Sequence, residues 1–276
     1  MASLTKKVSL PKELWENKKL IFTLSKNDFK KRFAGSLLGA VWAFVQPLLM
    51  VFVYWFVFQV GLGNAVASLK SGITVPFILY LLSGIVPWFY FSSAMTEGTL
   101  AFLDYDYLVK KLVFKISVLP CVKLGSSLFV HVFFIVLAAL IFVFYGFTPD
   151  LYWLQIVYYS GFMVLFVLGI VYITSSAAVF LRDMKELVNV VIQIGIWATP
   201  IMWNLENFES HKTLVKIFKL NPMYYVVNGY RDAFINKVWF WEHPTLTIYN
   251  IVLVIVVLFA GAAIFKRLKV YFADVL

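Results

Sequence analysis

The residues of this chain whose types do chemistry are few, and their spacing assembles no reaction centre. His131 stands about ten residues into an apolar run, without a carboxylate or second histidine at metal-ligand spacing. That is the setting of a hydrogen-bonded structural histidine. The single cysteine, Cys121, excludes an internal disulfide and sits in the same run as a small hydrophobe. Glu97, Asp104 and Asp106 are the one close set of carboxylates, the minimum that a transferase working at a membrane face would require. No nucleophile elbow and no His/Cys metal constellation occurs. No Gly-Lys dipeptide exists either, so a phosphate loop of the G-x-x-x-x-G-K-[ST] type is excluded. Gln46, Gln155 and Gln193 have the type and place of interhelical hydrogen-bonders. If the chain moves something uphill, a partner supplies the energy.

The elements that carry these residues are set by composition. Hydrophobic residues fill 62% of 276 positions and charged residues 14%, against about 25% charged in ordinary soluble domains. A soluble globule of this length cannot hide so much apolar surface. Lipid is the alternative solvent, and roughly 20 mainly apolar residues cross its hydrocarbon core. The net charge of +10 falls at the ends of apolar runs, which is a membrane-topology pattern, so no nucleic-acid partner is expected. The polar, basic start of the chain is unlike a cleavable signal peptide.

The expected fold class is all-α integral membrane with six transmembrane helices, at about 36–61, 76–98, 120–145, 153–181, 187–203 and 248–265. Residues 1–35 precede them and 267–276 form a tail, leaving 36–266 as the spanning domain. Within the first segment Trp15, Leu20, Ile21, Leu24, Phe29 and Phe33 recur at helical spacing among lysines. This is the pattern of an amphipathic helix in the membrane interface, or else of a solvated basic tail. The last loop holds an apolar stripe at Leu214, Ile217, Phe218 and Leu220, then Asn221-Pro222 as an N-cap with proline at the first helical position. Tyr224, Tyr225, Tyr230 and Phe234 follow on a second apolar face beside Arg231-Asp232. Two short re-entrant helices are expected there.

Orientation follows from Lys and Arg. Nine in the N-terminal segment, four around the second–third connection, two after the fourth span and three in the tail lie on one side, eighteen together, against six on the other. The richer side is cytoplasmic, so both termini are expected inside. Two stretches on that side combine charge with apolar anchors: Thr99–Leu119, with Asp104, Tyr107, Leu108, Lys110 and Lys111, and Arg182–Glu186, with Arg182, Asp183 and Glu186. Each reads as a docking segment or as a solvated connection.

The segment Asp28-Phe29-Lys30-Lys31-Arg32-Phe33-Ala34-Gly35-Ser36-Leu37-Leu38-Gly39-Ala40-Val41-Trp42, with Leu181-Arg182-Asp183, Asn221-Pro222-Met223-Tyr224-Tyr225 and Tyr230-Arg231-Asp232, resembles the membrane subunits of type-2 ABC exporters of lipid-linked cell-surface polysaccharides. Within that branch, Tyr54-Trp55-Phe56-Val57-Phe58, Val75-Pro76-Phe77, Trp88-Phe89, Trp239-Phe240 and the ending Phe272-Ala273-Asp274-Val275-Leu276 look like the members that export wall teichoic acid. One departure is Phe114-Lys115, where the family usually has Phe-Pro.

The resemblance implies a homodimeric permease of the bacterial cell membrane that binds two copies of a separate ATPase subunit. ATP and Mg then sit on that partner and no cofactor on this chain. It implies a coupling helix within Thr99–Leu119, a substrate entrance at Lys30, Lys31 and Arg32, and an external gate at Asn221, Pro222, Tyr224, Tyr225, Arg231 and Asp232. The cargo would be an anionic polymer on undecaprenyl diphosphate, with O-antigen or capsule polysaccharide as the alternative. A membrane-bound transferase and a channel are the remaining readings. Arg32 suits a phosphate fork. Tyr54, Trp88, Phe89, Trp197 and Trp203 form a candidate sliding corridor, or pack as ordinary helix and interface aromatics.

Overall fold

The computed structural model describes residues 10–35, 37–63, 66–68, 74–110, 114–208 and 210–276, with backbone alone for 66–68, 206, 207 and 273. The chain opens with α1 (Leu10–Glu16) and α2 (Lys18–Arg32). The single helix expected through residue 35 is thus two helices, broken at Asn17, whose side-chain amide donates to the Glu13 carbonyl at 2.6 Å. On α2 the buried residues are Ser25 and Asp28, while Leu20 and Phe22 are exposed. The most deeply buried positions are thus polar, Ile21, Leu24 and Phe29 are half-buried, and the Phe22 and Phe29 rings flank them against Phe129 at 6.2 and 5.8 Å.

After a 3₁₀ turn, α3 (Trp42–Trp55) carries Pro47 inside it and continues through a π turn, Phe56–Gly61. Only Val51 of α3 is buried. The chain is nearly all helical, as expected, and a short exception follows, where β1 (Val66–Ser68) pairs antiparallel with β2 (Thr74–Pro76), Val66 opposite Pro76. The β-branched pair Thr74-Val75 suits a strand, and Pro76 is the last residue before the following helix. Lys70 lies outside the described residues.

The centre of the bundle is α4 (Phe77–Thr99), buried over most of its length. Beyond it run α5 (Asp106–Val109), α6 (Leu119–Phe144), α7 (Gln155–Ala178), α8 (Met184–Ala198), α9 (Lys212–Lys219), α10 (Pro222–Arg231), α11 (Pro244–Leu268) and α12 (Phe272–Val275). Helices α6, α7, α8 and α10 pack around α4, and α11 lies along α7. The turn after α6 ends in a glycine in the left-handed region, Gly146 at φ +90°. Its N–H reaches the Val143 carbonyl at 2.9 Å and the Phe147 N–H reaches Phe142 at 3.0 Å. The Phe142 and Phe147 rings meet at 5.6 Å, so both hydrogen bonds and the apolar contact of a Schellman stop are present.

Among the described residues, five helical stretches are long and apolar enough to cross a membrane: Gly39–Gly61, Phe77–Thr99, Ile116–Phe144, Leu151–Ala178 and Pro244–Tyr271. The expected span 187–203 is instead α8, of 15 residues, which at 1.5 Å per residue is about 22 Å against a hydrocarbon core of about 30 Å. Pro200 lies beyond this helix, not inside it. The proline forces its predecessor out of the helical region, and Thr199 is extended at φ −111° and ψ 128°. The last span is longer than expected, from Pro244 to Leu268, and the tail does not hang free. Phe272 is fully buried, its ring 5.0 Å from Phe102.

The α7–α11 seam depends on small residues. A Cβ on Gly261 would overlap the Gly169 carbonyl oxygen, and one on Gly169 would lie 2.8 Å from the Val257 side chain. Gly261→Ala is therefore expected to push the two helices apart at a cost of about 1–3 kcal/mol. The apparent melting temperature in detergent should fall, whereas Gly161→Ala, where a Cβ meets nothing within 4 Å, should leave it near wild type. Equal melting of the two variants would show that the seam tolerates the methyl group.

Candidate functional site

Charged side chains from four places converge at the end of the bundle where α2 crosses the start of α6. Ser25, Asp28 and Arg32 recur on one side of α2. Glu97 closes α4, Asp104 and Tyr105 lie on the connection to α5, and Lys123 sits in the first turns of α6. The approach of α2 to α6 is made possible by Gly125, where a Cβ would overlap the Ser25 hydroxyl. Ser25 Oγ donates to the Ile21 carbonyl at 2.8 Å or the Val122 carbonyl at 3.0 Å.

Lys123 is the hub. Its ammonium is 3.0 Å from Asp28 Oδ1, 2.8 Å from Asp104 Oδ2 and 3.9 Å from Glu97 Oε2. The Lys123 and Asp28 side chains are each only 7% exposed, and a lysine this deep persists only with such partners. Arg32 Nη2 lies 2.9 Å from Glu97 Oε1, and Arg32 Nη1 faces the Ser93 hydroxyl at 3.4 Å. Tyr105 donates its phenol to Asp28 Oδ1 at 2.7 Å. Burial first, then Asp28, holds that phenol above its ordinary pKa. The charged residues of this group and Tyr105, with Lys31, line an open cleft of about 300 Å³. The arrangement is suited to holding charged groups, and among the described residues it sets no nucleophile beside a base.

A second polar group lies toward the other end of α4, about 25 Å along the helix by its rise per residue. Arg231 of α10 stacks its guanidinium over the Tyr80 ring at 3.7 Å and donates to the Ile201 carbonyl at 3.0 Å. Asp232 does not pair with it but accepts from Asn228 and Asn236, each at 2.8 Å. Burial pushes the Asp232 carboxyl up to about 6, against the opposing effect of the Asn236 amide and of His243 and Arg231. Asn221 caps α10 through the Met223 N–H at 2.9 Å and donates to Thr199 Oγ1 at 2.9 Å, with Pro222 at the first helical turn. Tyr225 joins Tyr158 at 3.0 Å and Thr247 at 3.1 Å. Tyr224, Tyr225, Arg231 and Asp232 are all buried, so these expected gate residues are built into the core, not laid over it. His131 is likewise buried, with Nε2 3.1 Å from the Tyr230 hydroxyl.

The expected corridor aromatics are not gathered onto one surface. Trp88 is buried against Gly195, where a Cβ would come within 2.9 Å of its ring, and Phe89 packs on Phe134 at 5.8 Å. Tyr54 is half-buried and Trp197 exposed. Trp203 donates its indole N–H to the Trp197 carbonyl at 3.1 Å and meets the edge of Phe218.

The expected coupling residues Asp104, Tyr107, Arg182, Asp183 and Glu186 are all exposed, and Asp104 alone of them reaches Lys123. Leu108 packs against a small core in which α5 rests on Phe102, Leu119, Phe265 and Phe272. Lys110 is exposed and pairs loosely with Asp106 at 3.9 Å, while Lys111 lies outside the described residues. Lys30 and Lys31 are exposed. The residues that sequence reasoning did not join are Asp28, Glu97, Tyr105 and Lys123. The available signal was Lys123 itself, a lysine just inside an apolar run that needs a carboxylate partner.

The chain matches the family described as ABC-2 type transporter over residues 19–235. It is 30% identical over 263 residues to an O-antigen export system permease protein of Klebsiella pneumoniae, a match covering 93% of this chain and 95% of that one. A second protein of that description from Klebsiella pneumoniae is 28% identical over 261 residues, with the same coverage. One from Myxococcus xanthus is 25% identical over 267 residues, 97% of this chain and 99% of that one.

Proposed function

The chain belongs to the ABC-2 type transporter family, as the multi-pass membrane permease of a type-2 ABC exporter, and on that premise we propose that it flips undecaprenyl-diphosphate-linked wall teichoic acid across the bacterial cell membrane. In this reading it works as a homodimer with two copies of a separate ATPase subunit, and ATP and Mg reside on that subunit. The chain crosses the bilayer six times, with α8 as a short crossing continued by Thr199–Trp203, and both termini are cytoplasmic. Lys30, Lys31 and Arg32 receive the diphosphate head at the cytoplasmic side. Asn221, Pro222, Tyr224, Tyr225, Arg231 and Asp232 brace the outer end. The exposed Trp197 and neighbouring Trp203 would face the cargo in the dimer, with Tyr54, Trp88 and Phe89 behind.

The observation that carries this reading is the cleft beside Arg32 and Lys31, a phosphate-suited mouth on a chain without a phosphate loop of its own. A second reading, export of O-antigen, is favoured by the names of the relatives at 25–30% identity. Reconstituting the permease with its ATPase in vesicles and offering lipid-linked poly(glycerol phosphate) or a neutral lipid-linked polysaccharide separates the two. ATP-dependent translocation of the phosphate polymer alone supports teichoic acid. Translocation of the neutral polymer alone supports O-antigen, and movement of neither overturns both.

The coupling role is tested through α5. Reversing charge at Lys110 and Lys111 together is expected to weaken association with the ATPase about tenfold, the loss of roughly 1.4 kcal/mol. Folding should be unaffected, because the Lys110–Asp106 pair is exposed and such pairs contribute little. Unchanged co-purification would place the contact elsewhere.

A further inference from the structure

The cleft carries a carboxylate where a simple anion site would have none. Glu97 stands between two cations, with Oε1 2.9 Å from Arg32 and Oε2 3.9 Å from Lys123. It is close to the first and just within reach of the second. Lys123 meanwhile holds Asp28 and Asp104, so any change at Glu97 is felt on the connection leading to α5. The two halves differ in exposure. Arg32 and Glu97 remain 30% and 24% exposed, whereas Lys123 is at 7%. Lys31 is exposed at the same mouth, 5.9 Å from the Tyr105 ring, and forms no ion pair among the described residues. Ser93, beside Arg32, adds one hydroxyl near the mouth, with the buried Ser127 3.3 Å behind it.

A ligand arriving at this mouth meets a planar guanidinium and an ammonium outside any ion pair among the described residues, with the Ser93 hydroxyl beside the guanidinium, and must displace a carboxylate to use them. Neutral sugar hydroxyls do not compete with a carboxylate for a guanidinium. A phosphate does, through paired charge-assisted hydrogen bonds. The cleft volume of about 300 Å³ is at the small end of ligand pockets, roughly 300–1,000 Å³, which suits a phosphate or diphosphate group and not a length of polymer.

We propose that the cleft between α2, α4 and α6 binds a phosphate or diphosphate group, and that Glu97 is its exchangeable latch. With the cleft empty, Glu97 holds Arg32. When phosphate takes Arg32 and Lys31, Glu97 turns to Lys123 and competes with Asp104 for it. Headgroup arrival is thereby transmitted to the α4–α5 connection, through Lys123 as a positioning residue. The identity of the biological ligand rests on the exporter reading above; the exchange itself rests on the ion-pair geometry.

The test uses the full chain in phosphatidylcholine nanodiscs, titrated with inorganic pyrophosphate and followed by tryptophan fluorescence. Glu97→Gln, which removes the competing charge, is expected to bind pyrophosphate about tenfold more tightly than wild type, and Arg32→Gln about tenfold more weakly. In the double variant the Glu97→Gln gain should vanish, because the two residues act as one unit. Asp274→Asn, an exposed carboxylate that does not line the cleft, should match wild type. Unchanged or weaker binding by Glu97→Gln with wild-type melting would overturn the latch, as would a gain that survives Arg32→Gln. Competition by undecaprenyl diphosphate in the nanodisc distinguishes a lipid headgroup from free phosphate. If the variant pattern holds but the lipid does not compete, the latch stands and the cargo assignment fails.

Discussion

Arg32→Glu is expected to abolish polymer export while the chain still inserts in the membrane and still holds its ATPase. Arg32 ends α2 with its guanidinium between Glu97 and Ser93. Replacing it by a carboxylate removes the phosphate fork and sets a second negative charge against Glu97. Folding should tolerate this, since both side chains reach water and part-exposed pairs contribute about 0–1 kcal/mol. Function should not. A charge-assisted fork onto phosphate is worth about 1.5–3 kcal/mol, and reversal adds repulsion, so translocation should fall roughly a hundredfold or more. Reconstituted vesicles with ATP measure the flux, and gel filtration of the solubilised complex measures assembly. Export at the wild-type rate would remove Arg32 from the pathway, whereas loss of assembly would make its role structural.

Lys123→Met should produce the largest loss of stability, about 3–5 kcal/mol for breaking a buried pair by removing one partner. Asp104 is 41% exposed and can turn to water, and Glu97 retains Arg32. Asp28 cannot relax. At 7% exposure it would keep only the Tyr105 phenol for its charge. The double variant Lys123→Met with Asp28→Asn is expected to recover most of the loss, because the stranded charge is gone. Thermal unfolding of the detergent-solubilised chains reads both. A Lys123→Met protein that melts with wild type would show that water reaches Asp28 and that the hub is not dry.

Part of this site was legible in the chain. Asn221-Pro222 marked a capped helix start by local chemistry alone, and the structure has α10 starting there with Asn221 bonded to the Met223 N–H. The charge run Lys30-Lys31-Arg32 was equally plain. What Arg32 touches was not, since Glu97 lies 65 positions away and nothing local links them. The break at Asn17 and the end of α8 at Ala198, before Pro200, were missed for a related reason. Apolar spacing continues through Asn17, and through Thr199-Pro200 into Trp203, while the backbone turns on single residues.

The sequence by itself determined the class of the protein. With 62% hydrophobic residues in long runs and charge confined to their ends, only lipid can solvate the chain, and a backbone in lipid closes its hydrogen bonds within helices. It also determined that the chain carries no phosphate loop of its own. The tertiary structure alone decided which charges meet. Asp28, Glu97, Asp104 and Lys123 belong to four separate segments, and they become one cluster because α6 packs on α4 and Gly125 lets α2 press against α6. Ion pairs depend on distance in space over a few ångströms, which a linear pattern of residues does not encode. The same holds for the corridor aromatics, which share a residue type but not a surface. Trp88 lies in the core and Trp197 outside it, because each helix was turned by what it packs against.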